Sequence, residues 1–225
     1  MTTTIENDRA TAEHAPLIRL TLLVWVLGIT SIGACVAGVF WPEASDGAAY
    51  AYGDIADARG RWWLVLSFLA VALPLNVPAQ AALTMSLVRA RGAALVTWGG
   101  AIMCLGACLQ GAGVAFLAGA YYFPTSPGVG RGSANDVLHA VAADQGHLFG
   151  LMFPGAALVL VGSVAQAIGL RRARAVPTWV IVALLFVVVT FVVPGSGPIG
   201  LVTSVPMTVG AVALGVHARR DAAAR

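Results

Sequence analysis

Six long apolar stretches, separated by short polar or Pro/Gly-rich turns, dominate the 225-residue chain. They fall at about 17–41, 62–88, 93–123, 144–170, 176–193 and 199–217. Each is at least 18 residues long, which is what an α-helix needs to approach the roughly 30 Å of a bilayer's hydrocarbon. Within the first stretch, Ile32-Gly33-Ala34-Cys35 has the look of a lipoprotein cleavage box. The apolar run nevertheless continues to Trp41, which suits a membrane span better than a signal peptide. Outgoing stretches end at Pro42, Pro124 and Pro194, and returning ones end at Arg89, Arg171 and Arg219. This punctuation predicts an all-α, polytopic membrane helix bundle with six transmembrane helices in three consecutive hairpins. Residues 1–16 and 218–225 are polar and predict two tails, the first of them disordered.

Composition supports lipid as the solvent. The chain is 59% hydrophobic and only 10% charged, against about 25% charged in a soluble domain. All 13 basic residues are arginine, and with the wealth of Ala, Gly and Val this points to a high-GC bacterial source. With the N-terminus inside, ten arginines (9, 19, 89, 91, 171, 172, 174, 219, 220 and 225) face the cytoplasm and three (59, 61 and 131) face outward. The positive-inside rule therefore puts both termini in the cytoplasm of a bacterium and the chain in its cytoplasmic (inner) membrane. The basic pI of about 9.1 reflects these turn clusters and implies no nucleic-acid partner. Membrane lipids are the expected surroundings.

No Asp, Glu, Lys, Arg or His lies in the middle of any stretch. Proton- and ion-driven carriers place such groups at mid-membrane, so their absence argues against that class. The second stretch is the most polar inside, with Asn76, Gln80 and Thr84 at i, i+4 and i+8 around Pro74 and Pro78. The plainer use of such amides is as hydrogen-bonding glue between helices. The functional use is a ligand pocket made by Asn76 and Gln80 with Gln110 and Gln166 across from them. The third stretch carries Gly99, Gly106 and Gly113 at heptad spacing. Small residues let backbones approach, which makes this helix central and its glycine face a candidate for a homo-oligomer or a membrane partner. Cys35, Cys104 and Cys108 read as small buried hydrophobes.

The stretch from Ser133 to Pro154 brings polar chemistry up against a span. It holds Asp136-x-x-His139 and Asp144-x-x-His147, pairs that touch on a helix. The two histidines lie about 12 Å apart along a continuous helix, too far to share one metal. Each pair has the composition of half a carboxylate-supported site, and Glu43, Asp46, Asp54 and Asp57 in the first outer loop are placed either to complete one or to pair with Arg59, Arg61 and Arg131. His139, His147, Asp144 and Asp54 are therefore the catalytic candidates. The chain contains no G-x-S-x-G, no phosphate-binding Gly-rich loop and no C-x-x-C. No metal ligand set and no cofactor is predicted.

The run Asp144-Gln145-Gly146-His147-Leu148-Phe149-Gly150-Leu151-Met152-Phe153 leads on to Arg171-Arg172-Ala173-Arg174 and Val176-Pro177. With the first loop, Asp46-Gly47-Ala48-Ala49-Tyr50-Ala51-Tyr52-Gly53-Asp54-Ile55, it resembles a bacterial family of six- to seven-span membrane proteins known only as a domain of unknown function. The resemblance implies a helical bundle and carries over no functional residue. The leading reading is a non-enzymatic accessory or lipid/small-ligand-binding bundle. The alternatives are a membrane-embedded enzyme with an outward-facing His/Asp site, and a small facilitative channel or exporter.

Overall fold

Apolar runs of this length bury their backbone polar groups most completely as helices, because every N–H and C=O is then satisfied within the segment. A computed structural model shows that outcome. It describes the backbone of residues 2–41, 50–192 and 197–224, and the side chains within 17–41, 50–189 and 200–224. The described residues form helices and turns, with no strand among them. Five helices are long and apolar enough to cross a membrane: α1 (Thr2–Val39, apolar from Leu17), α3 (Arg59–Leu87), α4 (Ala93–Tyr122), α7 (Met152–Ala173) and α10 (Gly197–Ala223). The chain is thus a multi-pass membrane protein by the length and composition of its helices. The short helices α2 (Tyr52–Ala56), α5 (Arg131–Ala143) and α6 (Gln145–Leu148) sit at the end where α3 begins and α4 finishes.

Three features depart from the sequence expectation. The stretch at 176–193 does not form one helix but two, α8 (Thr178–Leu184) and α9 (Val187–Val192). Between them the backbone tightens to i→i+3 bonds, from Phe186 to Ala183 and from Val188 to Leu185, the 3₁₀ pattern that often marks a hinge. The fourth stretch, expected from about 144, starts its long helix at Met152 after turns at Asp144 and Phe149–Leu151. The backbone of α1 is helical from Thr2, where the polar composition predicts a loose tail.

The most extensive packing is between α4 and α7, and its cause is legible in two glycine ladders. On α4 and the turn before it stand Gly92, Gly99, Gly106 and Gly113; on α7 stand Gly155, Gly162 and Gly169. Both ladders step by seven and run antiparallel, so Gly92 meets Gly169, Gly99 meets Gly162 and Gly106 meets Gly155. A Cβ at Gly106 would come 2.5 Å from the Gly155 carbonyl oxygen, and one at Gly99 would come 2.8 Å from that of Gly162. Gly113 closes the ladder against Met152. Heptad spacing holds such a seam in register at a crossing of about 20°. The Gly99/Gly106/Gly113 face, a candidate surface for a homo-oligomer or membrane partner in the sequence, is therefore covered by the chain's own α7. Gly92 has a second role: with φ +90 it turns the Arg89–Gly92 loop into α4.

Outward from this seam, α3 packs on α4, α1 on α3 and on α10, and α8 on α10. Trp62 is 1% exposed and centres an aromatic cluster. Its ring lies 4.7 Å from Tyr50 and 5.4 Å from Tyr121, and Trp41 Nε1 donates to the Tyr50 hydroxyl at 3.2 Å. Of the three cysteines, Cys108 is exposed on α4 while Cys35 and Cys104 are half-buried.

The ladder is testable by adding single methyl groups. Gly99→Ala should lower the stability of the detergent-solubilised protein by about 1–3 kcal/mol, the usual cost of overpacking. Gly28→Ala on α1, where a Cβ meets nothing within 4 Å, should be neutral or stabilise by up to about 1 kcal/mol through helix propensity. Thermal unfolding of the two variants side by side decides the matter, and equal midpoints would refute the ladder.

Candidate functional site

Halfway along the long helices the packing opens. A cavity of about 270 Å³ lies between α1, α3, α4, α7, α10 and the α8–α9 break, near the lower end of the roughly 300–1,000 Å³ common for small-molecule sites. Three of the four amides singled out in the sequence, Asn76, Gln80 and Gln110, line it together. The fourth, Gln166, lies next door in a lobe of about 10 Å³ that shares Gln80, Ser163 and Leu184 with the main cavity. The wall includes no charged residue.

Asn76 has largely the role of glue. Its Nδ2 donates to Thr30 Oγ1 at 2.8 Å and Ser31 Oγ at 2.9 Å, with the Leu27 carbonyl at 3.4 Å. It thereby ties α3 to α1 rather than capping the carbonyls that Pro74 and Pro78 leave unpaired. The Ala70 carbonyl, freed by Pro74, instead faces Gly111, where a Cβ would stand 2.8 Å from it. The two glutamines are different. Among the described residues neither the Gln80 nor the Gln110 side chain makes a hydrogen bond, although both border the cavity. Gln166 is 3% exposed; its Nε2 donates to the Val96 carbonyl at 3.4 Å, and its Oε1 has no partner among the described residues.

Sequence reading missed the opposite wall. Ser31 on α1 and Ser204 and Thr208 on α10 also line the cavity. Thr208 reaches back to α1, with Cys35 Sγ at 3.1 Å from its Oγ1 and the Ser31 carbonyl at 3.4 Å. Ser and Thr within apolar runs are a weak signal, because each can bond the carbonyl one turn back in its own helix, as Ser204 and Thr208 do. Two apolar clusters close the cavity lengthwise. One, around Trp62, Leu66, Val114 and Tyr121, lies toward the α3 start. The other, around Leu83, Val96, Leu170, Val180 and Leu214, lies toward the arginine-rich turns.

The histidine-bearing stretch does not converge into a site. Asp144 and His147 pair as their spacing predicts, with Nδ1 2.7 and 2.8 Å from the two carboxylate oxygens. Asp144 also caps α6, accepting from the His147 backbone N–H. The pair is open to solvent, with side chains 90% and 60% exposed. His139 is exposed on α5 without a hydrogen bond to Asp136 among the described residues. Asp54 accepts from the Ala51 backbone N–H at 3.0 Å at the start of α2. The first loop does fold against α5, but there it sets Arg131 over the Tyr52 ring at 5.5 Å. No hydrogen bond or ion pair joins Asp54 to either histidine among the described residues, nor do three His, Cys, Asp or Glu side chains gather as a metal site would need. Glu43 and Asp46 lie outside the described residues. Arg59 is structural too, donating from Nε to the Tyr122 carbonyl at 3.1 Å and stacking 3.7 Å over that residue's ring.

No family model, no curated protein and no solved structure matches the chain. The resemblance of the 144–153 stretch to a membrane-protein family therefore gains no second support, and the site has to be read from its own chemistry.

The exposed pair makes a prediction about pH. The Asp144 hydrogen bond raises His147 above the ordinary histidine pKa, and the same bond holds Asp144 below the ordinary carboxylate value. The histidine's contribution is full below its unfolded pKa and fades as pH rises through the raised folded value. The aspartate's is full above its unfolded pKa and fades as pH falls through the lowered one. Solvent screening keeps both small. An NMR titration should find His147 above a reference histidine peptide and Asp144→Asn should bring it back, with no marked change in thermal midpoint. An unshifted His147 in the parent protein would mean that the pair does not form.

Proposed function

We propose that this chain is a six-span protein of a bacterial cytoplasmic membrane, both termini cytoplasmic, which holds a small uncharged ligand in its mid-bundle cavity without covalent chemistry. The observation that carries this reading is the cavity itself: a charge-free, largely apolar space halfway along the helices, with the amides of Asn76, Gln80 and Gln110 at its border. Unpaired amides are costly in such surroundings, so a chain that keeps Gln80, Gln110 and Gln166 there gains most when something else pairs with them. Arginine distribution supports the orientation. The α8–α9 segment serves as the sixth crossing. Its 7 and 6 helical residues cover only about 20 Å at 1.5 Å per residue, and the turn between them borders the cavity. Non-helical backbone at membrane depth is tolerated where it lines such a space.

A facilitative passage through the same cavity is the second reading, favoured by that interrupted segment, since discontinuous helices border the binding sites of many carriers. An enzyme built on His139, His147, Asp144 and Asp54 gains no support, because among the described residues only Asp144 and His147 pair and no third such group joins them.

Native mass spectrometry of protein released from nanodiscs tests the ligand-binding reading. A small-molecule adduct is expected on the parent chain. Ala34→Phe, which fills the cavity from α1, should reduce it about tenfold while preserving the folded mass. No adduct, or an adduct indifferent to Ala34→Phe, would sink the proposal. Topology has its own check: a reporter fused after Arg174 should be active on the cytoplasmic side, and a periplasmic signal would reverse the orientation.

A further inference from the structure

Resting on the ligand-binding reading above, we propose that the lobe between Gln80, Ser163 and Gln166 is the recognition end of the cavity. It takes the hydroxyl head of an uncharged amphipathic alcohol or phenol. The geometry around Gln166 leaves little latitude. Its Nε2 bonds the Val96 carbonyl on α4, which fixes the amide's orientation, since a flip would set two carbonyl oxygens together. Gly100 makes room for that nitrogen, as a Cβ there would stand 3.0 Å from it. The Oε1 is left buried and unpartnered among the described residues, and it needs a donor.

The other two walls define what the donor is attached to. Ser163 Oγ gives its proton to the Val159 carbonyl at 2.7 Å, so toward the lobe it can only accept. Gln80 brings an amide with both a donor and an acceptor and no hydrogen bond of its own among the described residues. A group that donates to Gln166 Oε1 and accepts from Gln80 Nε2 fits the set, and a hydroxyl does both. The lobe's volume of about 10 Å³ is that of about one oxygen-sized group. An ether lacks the proton. An ammonium or a carboxylate would bring a charge that nothing in this wall compensates. Beyond the lobe the main cavity offers Leu73, Val77, Met103 and Val159, an apolar bed for a ring or short chain.

The test uses 4-methylphenol and 4-fluorotoluene, in which a fluorine of similar size replaces the hydroxyl and removes the donor, titrated into the full chain in nanodiscs. The phenol should bind about tenfold more tightly, the order of one net hydrogen bond. Gln166→Met, close to isosteric but without the amide, should erase the difference. Gln80→Met in the same lobe should reduce it and serves if Gln166→Met does not accumulate. Gly28→Ala on α1, away from the cavity, should leave the ratio intact. Equal affinities in the parent chain, or a preference that survives both lobe variants, would mean that the lobe holds only water and overturn the inference, with the cavity reading still standing. If neither compound binds, or binding ignores Ala34→Phe, the cavity reading itself fails.

Discussion

The close approach of α4 and α7 is the contact on which the rest of the bundle depends. In lipid there is little hydrophobic gain in bringing two apolar helices together, because the acyl chains are as apolar as leucine. What remains is van der Waals contact, and that is greatest where no side chain holds the backbones apart. The facing glycines at 92, 99 and 106 and at 169, 162 and 155 provide it along most of both helices. Val96 and Met103 reach across the seam onto Gly169 and Gly162. Met103 and Gln110 on α4, with Val159 and Ser163 on α7, also border the cavity, so the closely packed pair forms one of its walls.

The polar groups divide by the same logic. Asn76, Thr30 and Ser31 pair with one another and fasten α1 to α3. Thr208 fastens α10 to α1. These bonds resemble the modest polar links common between membrane helices, each of the order of 1 kcal/mol or less. Gln80, Gln110 and Gln166 add no such link between α3, α4 and α7, apart from one long bond to Val96. Glue is therefore a sufficient account of the first set and not of the second. Because the second set gathers around one space, it reads as the wall of a site.

Much of this was legible in the sequence, and what was not has identifiable causes. Long apolar runs located the five long helices to within a few residues at most of their ends. Asn76, Gln80, Gln110 and Gln166 stood out because amides are rare in apolar runs. The heptad glycines at 99, 106 and 113 marked their helix as central, and the matching ladder at 155, 162 and 169 is the face they meet. The stretch with His139 and His147 drew attention as a polar cluster. Apart from the Asp144–His147 pair, its polar side chains face solvent, because its buried positions are Ala134, Leu138 and Leu148. Tyr50 from the first loop and Tyr121 from α4 enclose Trp62, a long-range arrangement that no local pattern encodes.

The interruption after Leu184 was the least legible feature and bears most on function. Leu184-Leu185-Phe186-Val187-Val188-Val189 contains no proline or glycine to signal a break. Its β-branched residues weaken helix propensity only slightly, so local sequence does not explain the turn. Tertiary structure offers a reason. The segment packs on α10 and touches α7, with Leu184 and Val187 both at the cavity wall. The turn keeps its donors paired, Leu185 to Ile181, Phe186 to Ala183, Val188 to Leu185 and Val189 to Phe186. It therefore adds no polar demand of its own, and the case for an occupant rests on the glutamines alone.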